Sequence, residues 1–213
     1  MKIETPIKLP HLHFPSGGNF SKNKPKMAKQ SQDIDLVASN RELETLSPEE
    51  RIAWAHEIFG IHLVMSSSFG LQSAVLLHMA NTAVPGIPVV FVDTGYLFKE
   101  TYRYVEQLEQ KLDLNLKIYT SPITPARQEA LSGKLWEKGV EGLEEYGLVR
   151  KVEPMSRALQ ELGATGWLTG LRREQSDSRK DRPFLELQNK TYKLHPIVDW
   201  DSFKVITYIL KYD

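Results

Sequence analysis

Short apolar runs alternate along the chain with segments of helical period. Ile61-His62-Leu63-Val64-Met65 is short and apolar enough for a buried strand, and Leu71, Ala74, Val75 and His78 then recur at i, i+3, i+4 and i+7, the spacing of one helix face. Asn81 to Pro88 reads as a breaker-rich loop. Val89-Val90-Phe91-Val92 is a continuous apolar run of the kind buried on both faces of a parallel sheet. From Phe98 the helical period returns through Tyr102, Val105, Leu108 and Leu112, and Leu114 to Tyr119 alternates as a third strand. Upstream, Ser47-Pro48-Glu49-Glu50 is a helix start with serine as cap, proline at the first position and acids in the first turn. Downstream, the pattern predicts a helix over Glu153 to Leu162, a fourth strand at Trp167-Leu168-Thr169, a weaker fifth over Tyr192 to Val198, and a last helix over Ser202 to Tyr212. Strands alternating with helices predict an α/β fold, a mainly parallel sheet with flanking helices.

No internal repeat or linker divides residues 34–213, which are expected to form a single domain. Residues 1–33 differ. Pro10, Pro15, Pro25, Gly17, Gly18 and four lysines (Lys22, Lys24, Lys26, Lys29) stand there among few apolar positions, the composition of a disordered leader. Met27 lies just ahead of the structured-looking stretch and is an alternative start to Met1. His11 and His13 sit in this leader without metal-site company, and His78 and His195 read as packed, structural histidines.

Composition narrows the chemistry. Lysine plus arginine equals aspartate plus glutamate, 27 each, so any anion site must be a local cluster. That balance gives no support to nucleic-acid binding. The absence of cysteine excludes disulfides, thiolate metal sites, iron–sulfur clusters and a cysteine nucleophile within these residues. No apolar run reaches the ~18 residues of a membrane span, and a cytoplasmic setting is expected.

Three strand ends lead into small or polar residues. Ser66, Ser67, Ser68, Phe69 and Gly70 form a strand–turn–helix junction of the kind that aims backbone N–H groups and a helix N-terminus at an anion; an ordinary loop has the same spacing. Asp93, Thr94 and Gly95 follow the second strand. Gly170-Leu171-Arg172-Arg173-Glu174-Gln175-Ser176-Asp177-Ser178-Arg179-Lys180 follows the fourth, and its arginine forks suit phosphate or sulfate oxygens. Read alone, that run is equally a solvated charged loop. All three would meet at the carboxyl edge of a parallel sheet, where ligands collect.

These stretches, with Lys151-Val152-Glu153-Pro154-Met155, Gly133-Lys134-Leu135-Trp136-Glu137 and Pro196-Ile197-Val198-Asp199-Trp200, resemble the motifs of the assimilatory sulfonucleotide reductases. Within that family the chain is most similar to the thioredoxin-dependent phosphoadenylyl-sulfate (PAPS) reductases, from about Leu36 onward. The resemblance implies an adenine-nucleotide α-hydrolase-like (PP-loop) fold and an oxidoreductase of sulfate assimilation that turns PAPS into sulfite and adenosine 3′,5′-bisphosphate. It implies no bound cofactor, thioredoxin or glutaredoxin as electron donor, and a homodimer. By the same resemblance Ser66, Ser67, Ser68, Phe69 and Gly70 would hold the phosphosulfate side. Asp93, Thr94 and Gly95 would line the nucleoside pocket. Arg172, Arg173 and Arg179 would clamp anionic groups, with Lys151 as a further cation and Gln175 and Ser176 beside them.

Two departures shape the expectation. Relatives that use the simpler adenylyl sulfate (APS) and hold an iron–sulfur cluster carry a cysteine pair where this chain reads Glu144-Glu145-Tyr146-Gly147-Leu148-Val149-Arg150. That favours PAPS as substrate and no cluster. The family's nucleophile is a cysteine on a C-terminal Glu-Cys-Gly tail, which this sequence lacks. Serine does not replace a thiolate in forming a sulfur–sulfur bond. The expectation is a substrate-binding core whose catalytic tail is missing through truncation, with a natural cysteine-free variant as the other case. Two further readings stay open: an ATP-pyrophosphatase-type adenylating enzyme, disfavoured because Phe69 and Gln72 stand where that group carries a glycine and an acid, and a non-catalytic PAPS or APS binder.

Overall fold

The structure is a computed structural model that describes residues 33–212; the leader and start-site expectations for residues 1–32 lie outside the described residues. From Ile34 onward the chain forms one compact unit. Helix α1 (Leu36–Thr45), which the sequence pattern does not single out, is capped by the Asp35 carboxylate accepting from the Val37 and Ala38 amides. Helix α2 (Pro48–Phe59) starts as its sequence predicts: Ser47 Oγ accepts from Glu50 N at 3.3 Å while Glu50 Oε2 accepts from Ser47 N at 2.7 Å, a reciprocal capping box.

The sheet follows. Strand β1 (Leu63–Ser66) begins later than predicted, because Gly60–His62 forms a tight 3₁₀ turn instead. Helix α3 (Ser73–Ala83) starts two residues after Leu71 and runs through Asn81, Thr82 and Ala83, so the expected loop is confined to the residues before β2 (Pro88–Asp93). Helix α4 (Lys99–Leu112) and strand β3 (Asn115–Thr120) come next. Helices α5 (Pro125–Ser132) and α6 (Gly139–Gly147), which periodicity does not reveal, lead through a wide π turn at Leu148–Val152 into α7 (Glu153–Glu161). Pro154 has no N–H with which to continue an i to i−4 ladder, and the chain meets it with that widened turn. Strand β4 (Gly166–Thr169) is followed by a hairpin of β5 (Leu185–Gln188) and β6 (Thr191–Leu194), and α8 (Ser202–Tyr212) closes the described chain.

Six strands lie in the order β3-β2-β1-β4-β6-β5. All neighbours are parallel except β5 and β6. The predicted fifth strand is therefore the sixth, and it ends at Leu194 rather than Val198. Asn189 and Lys190 join the hairpin with φ of 49° and 68°, the two left-handed positions of a type I′ turn. Asn40 closes the edge, donating to Leu185 O at 2.8 Å and accepting from Leu185 N at 2.9 Å.

Alternation along the strands sorts the two faces. Leu63, Met65, Val89, Phe91 and Leu168 join the main core with α2 and α3. Val64 and Val90 are buried outside that cluster, on the face where α7 packs against β2 and β3. Beyond α7 this second face becomes polar. Trp167 lies opposite Lys193, and Glu186 opposite the same lysine. The wholly buried His195 ring stands between Thr169 and Glu186.

Arg51 ties the N-terminal helices to the segment after β6. Its guanidinium is buried, donates to Leu43 O at 2.8 Å and Pro196 O at 2.7 Å, and pairs with Asp199 at 2.8 Å. It also lies over the Phe184 ring. The segment so held in turn receives Arg173 N at Val198 O, 2.9 Å. Among the described residues no helix is long and apolar enough to cross a membrane.

Two outcomes follow from this packing. Arg51→Met strips hydrogen bonds from two buried carbonyls and leaves Asp199 without its cation, and should cost about 2–4 kcal/mol in chemical denaturation; a loss under 1 kcal/mol would show that the clasp is dispensable. His195 is the acid-sensitive point of the sheet. Its burial drives its pKa down to about 4 from 6.5, with Glu186 opposing that shift and Lys193 and Arg182 adding to it. The unfolded chain thus binds more protons than the folded one in that window, and stability must fall as pH drops from about 6.5 to 4. Burial acts to raise the Glu186 pKa, but hydrogen bonds from His195 and Arg182 outweigh it and leave it lowered. Its contribution is lost with further acidification, in the same direction. Denaturation midpoints at pH 7 and 4.5 should therefore differ more for the wild type than for His195→Leu.

Candidate functional site

A cleft of about 630 Å3 opens at the carboxyl ends of β1 and β4. From β1 the chain moves outward to β2 and β3, and then returns to the other side of β1 as β4. The cleft therefore sits where strand order reverses, between loops that leave adjacent strands in opposite directions.

The first wall is the Ser66–Ser73 loop. Ser67 N donates to Val90 O at 3.1 Å, which anchors the loop to β2, and Ser67 Oγ accepts from Phe69 N at 3.1 Å. Phe69 has φ of 51°, a left-handed conformation that costs a bulky residue roughly 1–2 kcal/mol. Its ring is buried and meets Phe91 edge-on at 5.2 Å, so burial offsets the strain. Gly70 lacks a positive φ, and a Cβ there would meet nothing within 4 Å. Phe69, rather than the glycine, makes the unusual turn. The amides of Ser68, Gly70, Leu71 and Gln72 find no acceptor among the described residues. Ser66, Ser67, Ser68 and Gly70 line the cleft, while Phe69 points into the core.

The second wall is the segment after β4. Arg172 is buried, and its guanidinium reaches Gln72 Oε1, Glu174 Oε2 at 3.4 Å and Trp200 O at 3.5 Å. Gln175 Oε1 accepts from Arg172 N at 3.2 Å and from the Arg179 guanidinium. One amide oxygen thereby ties both arginines together. Arg172, Gln175 and Arg179 all line the cleft.

The remaining predicted residues lie elsewhere. Arg173 donates to Arg182 O at 2.9 Å and lies over Phe184, and Ser176 pairs with Ser178 at 3.0 Å; both line a separate surface hollow. Lys151 is on the turn between α6 and α7, over Tyr146, and borders a groove that shares Trp167 with the cleft. Asp93, Thr94 and Gly95 end β2 at the same sheet edge but do not line the cleft. Asp93 Oδ1 accepts from Gly95 N and Tyr102 Oη, each at 2.7 Å. Gly95 has φ of 76°, and a Cβ there would sit 2.5 Å from Pro125 Cγ; this turn admits only glycine.

Sequence reasoning missed several lining residues: Gln72, Ser73, Trp167, Thr169 and Lys193. Gln72 is the side chain that joins the two walls. Lys193 is on β6 with its ammonium 4.5 Å from the Trp167 ring centroid. Burial lowers its pKa, with Glu186 partly opposing. Only strand register brings Lys193 to Trp167, and register is not written in local composition. Arg172, Arg179 and Lys193 give the cleft three cations, and no carboxylate lines it among the described residues. Glu174 stands behind Arg172 and Glu186 behind Lys193.

Comparison with known proteins bears on the family and the fold. A family model described as the phosphoadenosine phosphosulfate reductase domain matches residues 62–213. The phosphoadenosine 5′-phosphosulfate reductase of Salmonella typhi is 51% identical over 187 residues, 88% of this chain and 77% of that protein. The crystal structure of PAPS reductase from Candida auris, a phosphate complex, superimposes with a TM-score of 0.73 at 30% identity, covering 86% of this chain and 88% of that one. An NH3-dependent NAD synthetase from Campylobacter jejuni shares the fold alone, with a TM-score of 0.53 at 11% identity over 84% of this chain and 73% of that one. The mainly parallel sheet with flanking helices is thus the PP-loop, adenine-nucleotide α-hydrolase-like fold. The family model spans both loops that build the cleft, and with a relative at 51% identity over most of the chain, this protein belongs to the phosphoadenosine phosphosulfate reductase family.

Proposed function

We propose that the cleft holds PAPS as the substrate site of a PAPS reductase, with thioredoxin or a related dithiol protein as electron donor. The observation that carries this reading is the convergence of the Ser66–Gly70 loop with Arg172 and Arg179 on one cleft lined by no carboxylate among the described residues. PAPS brings a sulfate, a bridging phosphate and a 3′-phosphate. Loop amides and guanidinium forks are the donors such groups need. In the reaction a thiolate attacks the sulfur, the bond from sulfur to the bridging oxygen breaks, and adenosine 3′,5′-bisphosphate leaves. A second thiol then releases sulfite as a disulfide forms, so two electrons pass from the dithiol to sulfur.

The chain contains no cysteine, so the attacking thiolate comes from outside these residues. Their own work is to bind the nucleotide, fix the sulfate and screen it from water. Arg172 is suited to this role because its fork is oriented before any ligand arrives, by Gln72, Glu174 and the Trp200 carbonyl. Asp93, Thr94 and Gly95, Lys151, Arg173 and Ser176 would act from beside the cleft, by fixing the loops that form it or by meeting parts of the ligand that extend past it. The reading includes a cytoplasmic setting, where dithiol proteins are kept reduced. It also includes a homodimer, for which exposed Phe203, Ile206 and Leu210 on α8 supply an apolar stripe of the kind interfaces carry.

Calorimetric titration of the chain tests the proposal. PAPS and adenosine 3′,5′-bisphosphate should bind more tightly than APS or ATP, and the chain alone should form no sulfite with reduced thioredoxin. Preference for ATP with release of pyrophosphate would replace this reading with the adenylating one. Arg172→Ala and Arg179→Ala should each weaken PAPS binding about ten- to a hundredfold, and Arg172→Lys should not restore it, since the fork is lost. Thermal melts of the same variants separate lost binding from lost folding.

A further inference from the structure

The floor of the cleft is set by the register of two strands. Ser66 lies opposite Thr169, and both side chains line the cleft. Each hydroxyl is held by a ring nitrogen. Trp167 Nε1 donates to Ser66 Oγ at 2.8 Å, and an indole nitrogen only donates. That bond uses an acceptor site of Ser66 and leaves its O–H proton without an acceptor among the described residues.

Thr169 is the opposite case. Its Oγ1 is 2.6 Å from His195 Nδ1, and the far side of the ring decides which atom donates. His195 Nε2 is 3.2 Å from Glu186 Oε1. An ionised carboxylate only accepts, so Nε2 carries the proton. The ring is wholly buried, which drives its pKa down to about 4, so at pH 7 it is a neutral imidazole with a single N–H. Nδ1 is therefore bare, and the Thr169 hydroxyl donates to it. With its proton committed to the protein, Thr169 Oγ1 turns only lone pairs toward the cleft.

We infer that Ser66 and Thr169 form a fixed donor–acceptor pair that reads the neutral nucleoside end of the ligand, with Thr169 as a specificity-determining residue that accepts an N–H or O–H from it. This rests on the nucleotide reading of the cleft. A phosphate or sulfate oxygen at Thr169 would set lone pairs against lone pairs; the anionic end is therefore steered to Arg172, Arg179 and the loop amides. Two groups of an adenine nucleotide supply the matching chemistry. The adenine edge places an amino donor beside a ring-nitrogen acceptor, and a ribose hydroxyl both donates and accepts.

The test is a thermodynamic cycle on the full chain. Adenosine 3′,5′-bisphosphate and its 6-deamino and 2′-deoxy analogues are titrated into wild type, Thr169→Val and Thr169→Ser. Thr169→Val should weaken the parent nucleotide about tenfold, and Thr169→Ser should restore most of it. One analogue should lose about tenfold on the wild type and nothing further on Thr169→Val. The 6-deamino analogue in that role identifies the adenine amino group as the donor, and the 2′-deoxy analogue identifies the ribose. Losses that simply add for both analogues overturn the inference while the nucleotide reading stands. A wild-type chain that takes up none of these nucleotides removes that reading and the inference together. If Thr169→Val does not fold, the wild type decides: equal affinity for all three nucleotides overturns the inference.

Discussion

The parallel pairing of β1 with β4 is the constraint on which the rest depends. Four consecutive pairs, from Leu63 opposite Gly166 to Ser66 opposite Thr169, fix the register. A slip of one residue would turn every β4 side chain to the other face. Leu168 would then leave the core, and Thr169 and Trp167 would leave the cleft. Gly166 enforces the register from below, because a Cβ there would sit 2.4 Å from the Phe59 ring. Both loops that build the cleft leave these two strands at one edge, so the pairing that buries Leu63 and Leu168 also puts Ser66 and Arg172 on one cleft.

The strain in the loop depends on that frame. A phenylalanine at positive φ is tolerated only where its surroundings hold it there. Burial of the Phe69 ring against Phe91 on β2 does so, while the Ser67 amide and hydroxyl fix the turn on either side. The turn is therefore held in place by packing and hydrogen bonds without being glycine-rich. Phe69 and Gln72 separate this loop from the adenylating pattern, and each has a structural reason to be there. Phe69 anchors the turn, and Gln72 joins it to Arg172.

Much of this was legible in the sequence, in proportion to how local its causes are. The α2 cap, the apolar β2 run and the α8 period each state their structure within a dozen residues. The β5–β6 hairpin was not legible because its turn is Asn189-Lys190, not the Asn-Gly that marks left-handed pairs. Helices α5 and α6 lie in a stretch where Leu131, Val140 and Leu143 are exposed, so apolar positions there do not trace a buried face. At the site, the serine loop and the Arg172–Arg179 segment carried their chemistry in their own composition. Lys193, Thr169 and Trp167 did not, because their relevance comes from register across β4 and β6. Composition alone makes Arg172 and Arg173 a matched pair, yet neighbours along an extended backbone point apart. Arg173 turns to Phe184 and Arg182, while Arg172 turns to Gln72.

Charge placement links the frame to the chemistry. The whole chain has a formal net charge of zero, so no long-range field draws a polyanion to it. On the proposed reading, selectivity has to arise within the cleft, which three cations line, two of them with a carboxylate set behind: Glu174 for Arg172 and Glu186 for Lys193. Arg172 shows why that arrangement works. Buried without any partner, a guanidinium would be costly. The Gln72 amide oxygen and the Trp200 carbonyl satisfy it without matching the charge of a phosphate or sulfate, and Glu174 meets it only at 3.4 Å. Because Glu174 is also held by Ser202 N at the start of α8, it is kept from closing fully on the arginine. On the proposed reading, an arriving oxyanion would find a fork already aimed and incompletely neutralised, and would gain the charge-assisted bonds without first having to order the side chain.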